Sequence, residues 1–249
     1  MAETRLGLPS SIHACLFDLD GVLTETATLH AQAWQRMFDG FLSARSSGQP
    51  FLPFDVICDY ELYVDGKPRD DGARSFLASR GIKLPEGTSD DPATAETIQG
   101  FGKRKNGILL ALMREQGVEA YPGSVRYVRA VKGAGLRTAV VSSSENCHEV
   151  LIAAGIAELF DARIDGVVAA ERRLAGKPAP DTYLAAAHAL VVTPTQSAVF
   201  EDALAGVEAG HAGRFGLVVG VDRMGQADEL RRHGADVVVT DLAELLEAT

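Results

Sequence analysis

Four short segments hold residues whose types and spacing could do chemistry. They are Phe17-Asp18-Leu19-Asp20-Gly21, Ser142, Gly176-Lys177-Pro178 and Glu201-Asp202. Asp18 and Asp20 stand two apart, so on extended backbone they share a face, and in a turn after a strand they sit side by side. Gathered with Glu201 and Asp202 they make four potential negative charges, a cluster that is untenable without a cation. Hard carboxylate oxygens suit Mg²⁺, so Asp18, Asp20, Glu201 and Asp202 are the expected metal residues. Asp18, held ionised, could attack phosphorus and form an aspartyl-phosphate. Asp20 would then protonate the leaving oxygen and later deprotonate the next acceptor. Ser142 and Lys177 would bind the equatorial phosphoryl oxygens, where charge builds in the transition state.

The elements that must position these residues are legible in the apolar pattern. Near-continuously apolar runs at 13–17, 138–141, 198–200, 217–221 and 236–239 read as buried parallel strands. Helical patterns at 124–134, 146–154, 180–190 and 203–212 alternate with them, and Gly135 and Gly155 suit helix ends. Strand alternating with helix predicts an α/β fold with a doubly wound parallel sheet. Three of the four segments then follow three different strands, at the carboxyl edge where ligands bind in such sheets. The stretch from about 29 to 116 breaks the rhythm and is helix-rich. It predicts a helical domain, residues 28–117, inserted into a core made of 1–27 and 118–249. No chemistry is recognisable at 41–53 or 81–92.

The Asp18-to-Thr24 segment, Ser142, the Gly176-to-Asp181 segment and Glu201-Asp202-Ala203-Leu204-Ala205-Gly206 occur in the order of the four motifs of the haloacid dehalogenase superfamily. Together they resemble its β-phosphoglucomutase-like branch, over most of the chain. The resemblance implies a Rossmann-like core with an α-helical cap, Mg²⁺ as cofactor and a phosphorylated sugar as substrate. It implies a mutase acting on β-glucose 1-phosphate and glucose 6-phosphate through the 1,6-bisphosphate. A phosphatase of the same fold is the alternative. Thr26, His30 and Trp34 follow the nucleophile at the family's spacing. Arg69, in Asp65-Gly66-Lys67-Pro68-Arg69, stands where the family grips the distal phosphate. Lys105, within Lys103-Arg104-Lys105-Asn106, matches a cap segment that touches sugar hydroxyls, and Ser144 and Asn146 match distal phosphate contacts. Two departures remove positive charge: Asp65 and Glu145 stand where the family has lysines.

Each of these residues also has a plainer reading. Ser142 to Ser144 could cap the helix that follows. Arg69 could pair with Asp70 or Asp71, Lys103 to Lys105 could be a solvated helix face, and Trp34 could be packing in the cap. Composition narrows the classes further. With 46% hydrophobic residues, the 249-residue chain can bury a real core. A net charge of −10 disfavours nucleic acid and anionic lipid as partners. Three widely spaced cysteines fit no zinc or disulfide pattern, and no apolar run could span a bilayer. The expectation is a cytoplasmic monomer.

Overall fold

The computed structural model describes residues 6–46 and 50–247, so that 47–49, inside the silent 41–53 stretch, lie outside the description. The chain divides into two compact units, Met1–Glu25 with Val118–Thr249, and Thr26–Gly117.

The first unit is built on six parallel strands: β1 (Ala14–Phe17), β2 (Arg137–Val141), β3 (Ala162–Ile164), β4 (Ser197–Glu201), β5 (Leu217–Val221) and β6 (Val237–Val239), in the order β3-β2-β1-β4-β5-β6. Every residue of β1, β4 and β5 is buried, which is why these runs read as continuously apolar rather than alternating. The helices of the two units are α1 (Ala27–Arg45), α2 (Arg69–Ser79), α3 (Ile98–Gln116), α4 (Pro122–Gly133), α5 (Cys147–Ala153), α6 (Gly166–Arg172), α7 (Asp181–Ala189), α8 (Leu204–Ala212), α9 (Ala227–Arg232) and α10 (Glu244–Glu247). Ala14, Leu16, Val141, Val199 and Val218 point to one face of the sheet and pack with Tyr183 of α7, Val207 of α8 and Leu230 of α9. On the other face Phe17 stacks on Phe200 at 4.5 Å and meets Tyr127 of α4 edge-on at 6.3 Å. The sheet is therefore covered on both sides, as expected. Chain order reverses between β1 and β4, and ligand crevices of open sheets form at such a reversal.

The sequence reading missed β3, α6, α9 and α10. Strand β3 is a three-residue edge strand in which only Ile164 is buried, so its Ala162-Arg163-Ile164 run carries no apolar signal. The three helices have seven, six and four residues, too short for a periodic pattern to stand out.

The second unit is helical, with no strand among its described residues. Helices α1 and α3 pack together, and a short π-helical turn at Tyr60–Val64 precedes α2. Its core is aromatic. Phe38 is fully buried, with ring centroids 5.1 Å from Trp34, 5.4 Å from Phe54 and 4.1 Å from Phe76. Trp34 is thus core packing within this unit, the plainer of its two readings.

Phe38→Ala removes the ring that three others share and is expected to cost about 3–5 kcal/mol. Trp34, the chain's one tryptophan, stacks on it and reports the loss by fluorescence in denaturant unfolding. A change below about 1 kcal/mol would mean that this cluster does not hold the unit together.

Candidate active site

The pairing of β1 with β4 runs one residue past the strand, because Asp18 N–H donates to Phe200 O at 2.9 Å. The chain then folds back on itself. Leu23 and Thr24 N–H both donate to Leu19 O, and Gly21 N–H donates to Thr24 O at 2.8 Å. Gly21 has φ +87°, and a Cβ there would lie 1.7 Å from Asp202 Oδ2, so only glycine permits this approach. At the end of β2, Ser142 N–H donates to Ile164 O at 3.0 Å. The Ser142 hydroxyl accepts from Ser144 N–H, and the Ser144 hydroxyl accepts from Asn146 N–H at 3.1 Å. Ser142, Ser144 and Asn146 therefore form one hydrogen-bonded turn leading into α5. The capping role foreseen for the serines is taken by the turn, since the residue just before α5, Asn146, makes no side-chain cap bond.

Lys177, on the loop before α7, is the hub of the site. Its ammonium lies 2.5 Å from Asp18 Oδ1, 2.5 Å from Glu201 Oε1 and 3.3 Å from Val141 O. Its side chain is 1% exposed and that of Glu201 0%. The sequence assigned Lys177 to the phosphoryl oxygens. In the fold its three N–H groups answer two carboxylates and a carbonyl. Tyr183 of α7, which the sequence reading missed, donates to Glu201 Oε1 at 3.0 Å, and its ring lies 5.0 Å from the Lys177 ammonium. An Asp-Thr-Tyr run at the start of a helix carries no chemical signal, so only packing identifies it. Glu201 Oε2 accepts from Ala203 N–H at 3.0 Å. A Cβ at Gly206 would fall 1.7 Å from Glu201 Oε1, so α8 must present glycine here.

The electrostatics follow from burial. Burial pushes the Asp18 carboxyl well above the usual range; Lys177 pulls it back, while Glu201 and Asp20 push it further up. Burial works against the Lys177 ammonium, yet Asp18 and Glu201 hold its pKa well above the ordinary lysine value. Lys177 is therefore charged. One oxygen each of Asp18, Glu201 and Asp202 lie within 4.8 Å of one another, and all three residues are buried. When all are ionised, three negative charges face one ammonium. The two left over equal the charge of one divalent cation. This donor set, all hard oxygens, fits Mg²⁺. Asp20 is only partly buried and its carboxylate lies outside that trio, although its charge is felt at Asp18.

The helical unit brings together a different group. Lys105 is 4% exposed, its ammonium 3.0 Å from His30 Nδ1 and 5.1 Å from the Trp34 ring. An ammonium can only donate, so His30 Nδ1 accepts and the ring carries its proton on Nε2. Thr26, fully buried, offers its carbonyl to His30 N–H at 3.0 Å. Lys105 is thus not part of a solvated face. Lys103 and Arg104 instead fasten the preceding loop, by Lys103 to the carbonyls of Ser89 and Asp91 and by Arg104 to that of Ala93. Arg69, at the start of α2, has its Nε 4.0 Å from Asp70 Oδ1, and both atoms are buried, unlike the surface pair foreseen as its plainer role.

A family model described as haloacid dehalogenase-like hydrolase matches residues 12–214. The β-phosphoglucomutase of Mycobacterium tuberculosis is 57% identical over 246 residues, covering 97% of this chain and 94% of that protein. A crystal structure of β-phosphoglucomutase from Clostridium difficile superposes with TM-score 0.73 at 27% identity, covering 94% of this chain and 93% of that one. A structure of the protein CbbY from Rhodobacter sphaeroides, in complex with xylulose-1,5-bisphosphate, matches with TM-score 0.68 at 26% identity, covering 94% and 96%.

Lys177→Met leaves two buried carboxylates without their counter-charge. In metal-free buffer it is expected to cost about 3–5 kcal/mol of stability, and millimolar Mg²⁺ should restore part of it. Thermal unfolding with and without Mg²⁺ measures both effects, and an unchanged melting temperature would sink this account of the hub.

Proposed function

The chain belongs to the haloacid dehalogenase-like hydrolase family, and from that premise we propose that it transfers phosphoryl groups through Asp18 and interconverts β-glucose 1-phosphate and glucose 6-phosphate through the 1,6-bisphosphate. It is an enzyme of the phosphotransferase kind. The observation that carries the reading is the buried Asp18–Lys177–Glu201 hub beside Asp202, in a chain that aligns almost end to end with a β-phosphoglucomutase.

Asp18, Glu201 and Asp202, with Asp20 beside them, would hold Mg²⁺. Bound there, the ion supplies charge neutralisation for an incoming phosphoryl group. Lys177 fixes Asp18 Oδ1, so that the carboxylate is held in one orientation. A carboxylate oxygen of Asp18 forms a bond to phosphorus as the phosphorus–oxygen bond to the sugar breaks. Asp20 gives its proton to the departing oxygen and takes one from the hydroxyl that attacks next. Its partial exposure suits a group that must meet the substrate. Ser142 and Lys177 are assigned to the transferring phosphoryl group, Lys177 by exchanging its long 3.3 Å contact with Val141 O for a phosphoryl oxygen, and Ser144, Asn146 and Arg69 to the distal phosphate. Thr26, His30 and Lys105 are assigned to sugar recognition. Residues 28–117 serve in this reading as the cap that keeps water from the aspartyl-phosphate. No helix among the described residues is long and apolar enough to cross a membrane. All three cysteines are free, in keeping with a reducing cytoplasm.

Asp65 and Glu145 favour a second reading, hydrolysis of a phosphorylated metabolite, because each places an acid where the family resemblance expects a lysine. The two readings separate when the protein is given β-glucose 1-phosphate, Mg²⁺ and a trace of glucose 1,6-bisphosphate. The mutase yields glucose 6-phosphate with little free phosphate, and the phosphatase the reverse. Asp18→Asn should lose on the order of 10⁴-fold or more in rate, and Asp20→Asn about 10²–10⁴-fold. A protein that released neither product while folded would refute both.

A further inference from the structure

We infer that the loop between β5 and α9, which carries no residue assigned to the reaction, is the brace that sets the metal-binding geometry, through Arg223 and Gln226. The inference rests on the metal reading above.

Two backbone segments must meet for the carboxylate cluster to exist: the turn after Asp18 and the end of β4. They meet where Gly21 lies against the Asp202 carboxylate, so closely that no Cβ fits between them. The same loop holds both sides of that contact. Arg223 Nε donates to Gly21 O at 2.8 Å, and Gln226 Nε2 donates to Asp202 O at 3.1 Å. A shift of either carbonyl changes the separation of Asp18 from Asp202, and Mg²⁺ tolerates little departure from its preferred ligand distances.

The brace is itself fixed. Asp222 N–H donates to Val239 O at 2.8 Å, and Asp222 Oδ1 accepts from the N–H groups of Met224, Gly225 and Gln226 at 3.2, 2.6 and 2.8 Å. Gly225, at φ +80°, lets the backbone turn around that carboxylate. Arg223 is anchored on three further sides. Its Nη1 donates to Thr240 O at 2.7 Å, Asp241 Oδ2 lies 3.8 Å away, and the guanidinium carbon sits 3.7 Å from the centroid of the Tyr121 ring. Tyr121 N–H in turn donates to Leu23 O at 2.9 Å, so the stacked ring is tied to the turn whose carbonyl Arg223 grips. The Arg223 side chain is 16% exposed, which shelters these bonds from competing water. A planar donor with a stackable face meets all these partners at once; an ammonium can satisfy only some of them.

Arg223 and Gln226 are therefore positioning residues acting through Gly21 and Asp202. The test is calorimetric titration of metal-free protein with Mg²⁺ alone, beside the melting temperature of the same metal-free protein. Arg223→Met and Gln226→Leu are each expected to raise the Mg²⁺ dissociation constant about 10–100-fold, as loss of outer partners of metal ligands does. Arg223→Lys should recover part of the affinity. If Arg223→Met does not fold, Arg223→Lys and Gln226→Leu carry the measurement. Wild-type affinity in folded variants, with or without a lowered melting temperature, would show that the loop only stabilises the fold and would overturn the inference alone. Failure of the wild-type protein to bind Mg²⁺ would overturn the metal reading and this inference with it.

Discussion

A lysine ammonium with 1% of its side chain exposed, placed between two buried carboxylates, is the constraint on which the rest of this protein depends. Removing such charges from water costs several kcal/mol for each ion, and their attraction offsets that cost only when geometry is tight and every remaining polar atom is answered. Here Val141 O takes the third N–H of Lys177, and Tyr183 and Ala203 occupy Glu201. Asp18 is the member that is not fully balanced. Burial and neighbouring acids raise its pKa, so the cluster favours whichever cation relieves it. The feature that strains the resting site is the one that, in the proposed reaction, prepares it for a metal and a phosphoryl group.

The fold is arranged to make that strained cluster affordable. Asp18, Val141 and Glu201 come from the ends of three adjacent parallel strands, which stand at sheet spacing because their backbones are hydrogen-bonded in register. The sheet is buried on both faces, so its strands cannot slide to relax the charge. Two glycines, Gly21 and Gly206, allow backbone to come against Asp202 and Glu201 where any side chain would displace them. Rigidity is needed at both levels, since a carboxylate displaced by an ångström loses its lysine and, in the proposed reading, its hold on the metal.

The helical unit follows a different logic. Its core is made of stacked and edge-on aromatic rings, and Lys105 is buried against His30 and Trp34. The ammonium fixes the His30 tautomer, so the histidine offers an N–H from Nε2. Lys103 and Arg104, neighbours of Lys105 on the same helix, bond loop carbonyls instead. Three consecutive basic residues thus have two different roles, decided by helical phase.

The strand-and-helix alternation, the order of the four motifs and the acids Asp18, Glu201 and Asp202 that the fold gathers were all legible from the amino acids alone. Each is a local pattern: apolar runs long enough to be buried, and acids directly following them. What stayed illegible depends on approach between distant segments. That Lys177 would spend its donors on Asp18, Glu201 and Val141, that Tyr183 would share Glu201, and that Arg223 would grip Gly21 could not be read from the chain, because these partners lie from 18 to 202 residues apart. Edge strand β3 and the short helices escaped for the complementary reason: their few residues carry no periodic signal, and the sheet and loops around them decide their shape. The sequence determined which groups could do chemistry. Tertiary structure decided which of them face one another, because only folding removes the water that would otherwise keep these charges apart.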